Sequence, residues 1–168
     1  IITNPENLNL YDKVILPGVG AFGEAMRLIN KMNWRNYIIN YALERKKPIL
    51  GICLGMQILS SYGFEYDQFE GLNLIPGKVK NLKELGCKFS IPHIGWNEVK
   101  ATKNNFLFSN ISENASFYFV NSFAFDVNDK IHEVAITHYD VEFASVVAKN
   151  NIYGTQFHPE KSSKAGIQ

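Results

Sequence analysis

The sequence predicts an α/β fold: an open, mixed and largely parallel sheet flanked by helices, with an antiparallel β elaboration. Two patterns lead to this prediction. In residues 1–61, short β-branched runs alternate with longer amphipathic stretches, as in a strand, a crossover helix and a parallel strand. After Tyr62, short apolar runs separated by turn residues favour antiparallel strands. The chain has 168 residues, 46% of them hydrophobic, and no low-complexity break, so we expect residues 1–168 to form one domain.

The first half predicts two buried strands and three helices. Lys13–Leu16 is the first strand, which ends at Pro17-Gly18-Val19-Gly20, and Pro48–Ile52 is the second. The helices are predicted over Phe22–Asn30, Trp34–Glu44 and Leu54–Ser61, where apolar side chains recur at steps of three and four.

The second half predicts six short strands, each bounded by turn residues. They are Lys78–Leu82, Trp96–Val99, Ser116–Val120, Glu133–Thr137, Ala144–Ala148 and Ile152–Gln156.

Composition excludes several classes of function. Seventeen Lys and Arg against sixteen Asp and Glu give a net charge of +1, with no basic stripe, so nucleic acid is not an expected partner. No apolar run approaches the roughly 20 residues that cross a bilayer. Cys53 and Cys87 have neither disulfide-framework nor zinc-ligand spacing, so we expect a reducing cytoplasm and no metal.

Gly51-Ile52-Cys53-Leu54-Gly55 predicts a nucleophile elbow, because it places a cysteine between two glycines, after a strand and before a helix. The pattern arises by chance in about one chain in a hundred of this composition. At the start of a helix, the backbone N–H groups favour a thiolate. From the elbow alone, a buried structural cysteine is the alternative.

Gln156-Phe157-His158-Pro159-Glu160 follows the last predicted strand and supplies a base with a carboxylate two residues away. A thiol nucleophile needs a base, and the base needs a group that holds its tautomer. We therefore predict a catalytic triad of Cys53, His158 and Glu160.

Pro17-Gly18-Val19-Gly20 is glycine-rich backbone directly after a parallel strand, where an N–H can face an oxyanion. Acyl transfer at an elbow needs such a donor besides the N–H of Leu54. An ordinary strand-to-helix turn explains the segment equally well.

Residues 51–57 together with His158-Pro159-Glu160 resemble the class I (triad) glutamine amidotransferases, whose fold is a flavodoxin-like open α/β sheet with an antiparallel elaboration. The resemblance extends over nearly the whole chain. Within the family it is closest to subunits that pass ammonia to a (β/α)₈-barrel cyclase in histidine biosynthesis. The stretches that carry it are Leu16–Phe22, Pro92–Asn97, Phe117–Val120 and Tyr153–Ser162.

The resemblance implies hydrolysis of L-glutamine without a metal or organic cofactor, in a heterodimer with the barrel subunit. It assigns the oxyanion hole to Val19 and Leu54, the glutamine pocket to Gly18, Gly20, Gln57, Ser122 and Phe123, and the partner interface to Trp96, Asn97, Tyr118 and Lys161. Taken alone, Gln57 is a helix-surface residue, Trp96 and Tyr118 are core aromatics, and Lys161 is a solvated cation.

The sequence departs from the family pattern in three places. The family has a strand before the point where Ile1 stands and a helix after Gln168, so we expect the domain to be trimmed at both ends. Asn121 stands where the family commonly has His, and Asn cannot titrate near neutrality. This departure leaves open a related subunit that serves another synthase, such as one that aminates or amidinates a surface sugar.

Two further alternatives belong to other classes. One is a non-catalytic binding subunit of the same fold, against which the intact Cys53, His158 and Glu160 argue. The other is a cysteine peptidase or thiol hydrolase, which Gln57 and the Pro-Gly-Val-Gly segment disfavour because they suit a small amide substrate.

Overall fold

The computed structural model of the chain describes residues 1–113 and 115–168. Its strands, in chain order, are β1 (Val14–Gly18), β2 (Ile49–Cys53), β3 (Tyr62–Gly63), β4 (Phe69–Glu70), β5 (Gly77–Asn81), β6 (His93–Glu98), β7 (Lys100–Ala101), β8 (Ser116–Asn121), β9 (Phe123–Val127), β10 (Glu133–Tyr139), β11 (Val141–Lys149) and β12 (Ile152–Thr155). The helices are α1 (Phe22–Lys31), α2 (Trp34–Ile39), α3 (Leu54–Gln57) and α4 (Ser163–Ile167).

The main sheet is mixed, as predicted. Its order is β1-β2-β12-β11-β9-β5-β3-β4, with β10 also paired to β11 and β7 to β10, while β6 and β8 form a separate two-stranded sheet. Parallel pairing joins β1 to β2, β2 to β12 and β3 to β5, and every other ladder within the described residues is antiparallel. The α/β fold class is confirmed, but the parallel share of the sheet is smaller than the sequence indicated.

Two predicted helices are present with nearly the expected bounds. Helix α1 begins at Phe22, as predicted. Helix α2 continues into a π-helical turn over Asn40–Glu44, and α2 and this turn together cover the predicted range Trp34–Glu44. Asn33, with a φ of 59°, interrupts the helical conformation between α1 and α2. Phe22 and Tyr41 are buried on the apolar faces of these helical segments. An amphipathic helix is stabilised by packing one such face against the core.

The predicted helix Leu54–Ser61 is wrong in length, since α3 ends at Gln57. Beyond it, the carbonyl groups of residues 58–61 accept hydrogen bonds from a distant segment: Leu72 N–H donates to Ile58 O at 2.8 Å and Gly71 N–H to Ser61 O at 2.8 Å. These carbonyls are therefore satisfied without a continued helix.

Two apolar cores lie among the residues that the structure describes. One joins α1–α3 to the sheet, and the other packs β8 and β9 against β10, β11 and the segment after β12. In the second core, Phe157 stacks on Phe117 with ring centroids 4.1 Å apart. This packing anchors the chain between Gln156 and His158. Within residues 1–113 and 115–168, none of the helices has the length and apolarity that a bilayer crossing requires.

Candidate active site

The predicted elbow is present. Cys53 ends β2 with φ 53° and ψ −111°, and Leu54 begins α3. A Cβ atom at Gly55 would lie 1.8 Å from the carbonyl oxygen of Leu16, and one at Gly51 would lie 2.4 Å from that of Gly55. Both flanking positions therefore require glycine, which is the steric reason that the sequence pattern suggested.

Three parallel strands end side by side at this point. Gly18 pairs with Cys53 across β1 and β2, and Ile52 pairs with Thr155 across β2 and β12. The carboxyl ends of parallel strands form the edge at which α/β folds place their sites. Consequently Val19, Cys53 and the segment that follows Thr155 come together although they are far apart in sequence.

The predicted histidine–carboxylate pair is formed. His158 Nδ1 lies 2.8 Å from Glu160 Oε1, in a turn that Pro159 opens. The His158 side chain is 4% exposed and the Glu160 side chain 54% exposed. His158 Nε2 is buried and makes no hydrogen bond to any described residue. With its Nδ1–H directed to Glu160, the imidazole keeps Nε2 as its basic atom.

Cys53 and His158 line one open cavity of about 530 Å³. Most of the predicted pocket residues line it too: Val19, Gly20, Leu54, Gln57, Ser122 and Phe123. Gly18 does not; it packs closely on Leu54 and lines the apolar groove between β1 and α1. Gln57 donates from Nε2 to the carbonyl oxygen of Phe123 at 3.1 Å.

Glu65 is a pocket residue that sequence reasoning missed. It is the one carboxylate among the described residues that line the cavity, and its Oε2 accepts a hydrogen bond from Phe22 N–H at 2.7 Å. Phe22 follows the Gly18–Gly20 segment, so Glu65 ties that segment to the opposite wall. No motif surrounds Glu65, and only the folded arrangement reveals it.

The environment of the Cys53 sulfur differs from the sequence prediction. Burial raises the pKa of the Cys53 thiol above its ordinary value, while the Leu54 N–H and the Gln156 side chain lower it. The expected thiolate at a helix N-terminus is therefore not favoured at rest, since α3 has only four residues and desolvation outweighs its N–H groups.

The residues expected at a partner interface divide between two faces. Trp96 and Tyr118 pair across β6 and β8 in edge-to-face contact, and Trp96 is 55% exposed, so it is not a core aromatic. Lys161 is also exposed. Asn97 is turned inward instead: its Nδ2 donates to the carbonyl oxygen of His138 at 2.9 Å. Its amide is therefore committed to holding β6 against β10.

Residues 1–167 match the family model described as glutamine amidotransferase class-I. The chain belongs to this family. A subunit of imidazole glycerol phosphate synthase from Methanococcus maripaludis is 44% identical over all of this chain and 83% of its own length. The corresponding subunit from Pelagibacter ubique is 41% identical over 94% of this chain and 76% of its own length.

Solved structures share the amidotransferase fold. A glutamine amidotransferase crystal structure superposes with a TM-score of 0.73 at 14% identity, over 99% of this chain and 80% of that one. PurLQS from Thermotoga maritima gives a TM-score of 0.70 at 21% identity, over 96% of this chain and 79% of that one. At such identities the likeness establishes the fold alone. Among the described residues of this amidotransferase, no cluster of three or more His, Cys, Asp or Glu side chains could hold a metal ion.

Proposed function

We propose that this chain is the glutaminase subunit of an imidazole glycerol phosphate synthase, releasing ammonia from L-glutamine for a cyclase partner in histidine biosynthesis. One observation carries the proposal: an elbow cysteine and a buried histidine paired with a carboxylate line one cavity. Relatives over 40% identical that bear this synthase's name support this acceptor above a sugar-modifying synthase.

In the proposed reaction, Cys53 Sγ attacks the side-chain carboxamide carbon of glutamine and His158 Nε2 takes the thiol proton. The oxyanion is held by the N–H groups of Leu54 and Val19. His158 then returns the proton to the departing ammonia, which leaves a γ-glutamyl thioester on Cys53. Water activated by His158 hydrolyses the thioester and frees the thiol, with Glu160 orienting the imidazole in both steps.

The cavity offers groups suited to a free amino acid. L-Glutamine carries an α-ammonium, and Glu65 supplies a carboxylate within the cavity. Gln57 and the backbone of Ser122 and Phe123 line the wall beyond Cys53. A peptide would lack the free ammonium, so this arrangement favours glutamine over a peptidase substrate.

The exposed apolar side chains on the outer face of the β6–β8 sheet are suited to binding a protein partner. Ile94 pairs with Val120, next to the pair of Trp96 with Tyr118, and Ile94 and Trp96 are 60% and 55% exposed. Val120 also lines the cavity, so this apolar face reaches the cavity mouth. A (β/α)₈-barrel cyclase seated there would cover apolar surface and receive ammonia without its loss to water.

We also place this subunit in the cytoplasm. Both cysteines are free and buried, and the proposed mechanism needs Cys53 as a thiol. A reducing compartment keeps it in that form.

The test is steady-state release of glutamate from glutamine by the chain alone, and with the cyclase subunit of the same organism and that subunit's substrate. We expect glutamate release that rises when the loaded cyclase is added, together with covalent labelling of Cys53 by an electrophilic glutamine analogue. Absence of both would favour a non-catalytic binding subunit. Stimulation by a different synthase but not by the cyclase would favour the sugar-modifying alternative, and cleavage of peptides but not glutamine would favour a peptidase.

A further inference from the structure

The Cys53 sulfur accepts a hydrogen bond from a residue outside the triad. Gln156 Nε2 lies 3.7 Å from Cys53 Sγ, and the Gln156 side chain is fully buried. The contact follows from sheet register. Ile52 pairs with Thr155, so the next residues along β2 and β12 are Cys53 and Gln156.

A second contact holds the other end of the Gln156 amide. Gln57 Nε2 donates to Gln156 Oε1 at 3.1 Å and also to the carbonyl oxygen of Phe123 at 3.1 Å. A backbone carbonyl can only accept, so Gln57 must present its NH₂ group to Phe123. The same NH₂ group faces Gln156, which must therefore present Oε1 to Gln57. Only the donor end of Gln156 remains for the sulfur, and the orientation of both amides is fixed by a main-chain atom.

We propose that Gln156 is a positioning residue for the nucleophile: its oriented side-chain N–H holds Cys53 Sγ in place and stabilises the thiolate that forms during catalysis. A hydrogen bond to a charged acceptor is about twice as strong as one between neutral groups, so this contact strengthens as the thiol loses its proton. Burial around Cys53 acts in the opposite direction, and a fixed donor offsets part of that cost.

Gln57 thereby acquires a second role. Beyond lining the glutamine cavity, it sets the direction of the Gln156 amide and so connects the cavity wall to the sulfur. The inference rests on the proposed function only in taking Cys53 as the nucleophile. Packing alone is the competing explanation for a buried Gln156, and it predicts no effect on the ionisation of Cys53.

The test is the pH dependence of Cys53 alkylation by iodoacetamide in the full chain, with modification of Cys53 and Cys87 resolved by peptide mass spectrometry. Iodoacetamide reports the thiolate fraction and needs no glutamine site. Gln156→Met keeps the length of the side chain and removes the donor. We expect the midpoint to rise by about one pH unit, with alkylation about tenfold slower at a pH below both midpoints.

Gln57→Met should raise the midpoint by a smaller amount, because Gln156 keeps its donor but loses the partner that orients it. Gln68→Met is the matched control, since Gln68 is exposed and outside the cavity, and it should leave the midpoint unchanged. Thermal unfolding of each variant reports whether it folds.

An unchanged midpoint in folded Gln156→Met overturns the proposal, since packing alone would then explain the residue. If Gln156→Met does not fold, Gln57→Met decides: a higher midpoint supports the relay of amides and an unchanged midpoint overturns it. The alkylation measurement does not require glutamine hydrolysis, so its failure can be told apart from failure of the proposed function. A shifted midpoint without any glutamine hydrolysis by the complex would refute the proposed function but keep the effect of Gln156 on the Cys53 thiol. Glutamine hydrolysis with an unchanged midpoint would keep the function and refute the role of Gln156.

Discussion

The main chain of Tyr118 is hydrogen-bonded to the segment that carries His158. His158 N–H donates to the Tyr118 carbonyl oxygen at 2.9 Å, and Tyr118 N–H donates to Ser162 Oγ at 3.0 Å. The Ser162 hydroxyl in turn donates to the His158 carbonyl oxygen at 2.5 Å. Strand β8 is thus fastened to the proposed catalytic base, while its outer face is the proposed docking surface. A shift of β8 on docking would be passed to the imidazole.

Replacement of Cys53 by alanine should abolish glutamine hydrolysis, with a loss of at least about 10³-fold. Cys53 already has a φ of 53°, so alanine adds no new backbone strain. The fold and partner binding should therefore persist, and externally supplied ammonia should still support the partner's reaction. Glutamate release within tenfold of wild type would refute the triad, and failure with external ammonia would give Cys53 a structural role.

His158 and Glu160 should act as one unit with Cys53. Glu160→Gln removes the carboxylate that orients Nδ1–H and should lower turnover by about 10²-fold or more, while His158→Ala should lower it further. Adding Glu160→Gln to His158→Ala should cost almost nothing more, because the relay is already disabled. Exposed Glu142→Gln serves as the control. Wild-type turnover in Glu160→Gln would show that the orienting role is wrong.

The isolated subunit should be a poor glutaminase that becomes competent when the substrate-loaded cyclase docks. Glycine on both sides lets the exposed Val19 peptide rest with its carbonyl toward the cavity, and one missing oxyanion donor costs about 10²–10³ in turnover. Tyr118→Ala and Lys161→Ala should reduce stimulation by the partner more than basal activity. Full activity of the chain alone would exclude this gating and favour a stand-alone hydrolase.

Ser162→Ala should weaken the link between β8 and the catalytic segment. It removes the acceptor of Tyr118 N–H and the donor to the His158 carbonyl, so the free energy of unfolding should fall by about 1–3 kcal/mol. Stimulation by the partner should fall more than basal turnover. The exposed neighbour Ser163 provides the matched control as Ser163→Ala, measured by urea unfolding and glutamate release. Equal losses of basal and stimulated rates would argue against coupling through Ser162.

Acid should destabilise the fold through His93. Burial among Phe119, Tyr139 and Phe143 lowers the pKa of this histidine, although the polar side chain of Asn121 opposes the shift. Below about pH 6.5 the unfolded chain binds a proton at this histidine that the folded chain does not. The free energy of unfolding therefore decreases as the pH is lowered. One such group contributes at most about 1.4 kcal/mol per pH unit.

Urea unfolding over about pH 5–8 measures this dependence. The slope should be reduced in His93→Phe and retained in His138→Phe, since the His138 side chain is exposed. An unaltered slope in His93→Phe would assign the acid sensitivity to other groups.

The parts of the site that depend on local sequence were predictable. The elbow needs two glycines around Cys53, and the pair of His158 and Glu160 lies within three residues, so composition and spacing identify both. Glu65 and the contact of Gln156 with Cys53 depend on loop placement and strand register, which periodicity does not encode.

The same distinction explains the errors in the fold. The end of α3 is set by hydrogen bonds from the N–H groups of residues 71–75, and no residue pattern near Gln57 predicts these distant contacts. Strand β9 was not predicted: the expected strand ended at Val120, and only Ser122 separates β8 from β9, so no turn signal marks a second strand there. The interface role of Asn97 stays a prediction from the resemblance, and strand alternation turns its amide toward β10.

Substitutions in the parallel ladder of β1, β2 and β12 and substitutions in the loop that follows β1 should have different effects on the protein. Backbone hydrogen bonds of one sheet set the positions from which the proposed nucleophile and base project, whereas Val19 and Gly20 lie just beyond the ladder, with Val19 80% exposed and Gly20 at a φ of 105°. We expect substitutions in this short loop to alter when the subunit works, and substitutions in the ladder to alter whether it works at all. Natural variation could therefore adapt such a subunit to a new partner through one exposed peptide while its reacting groups stay in place.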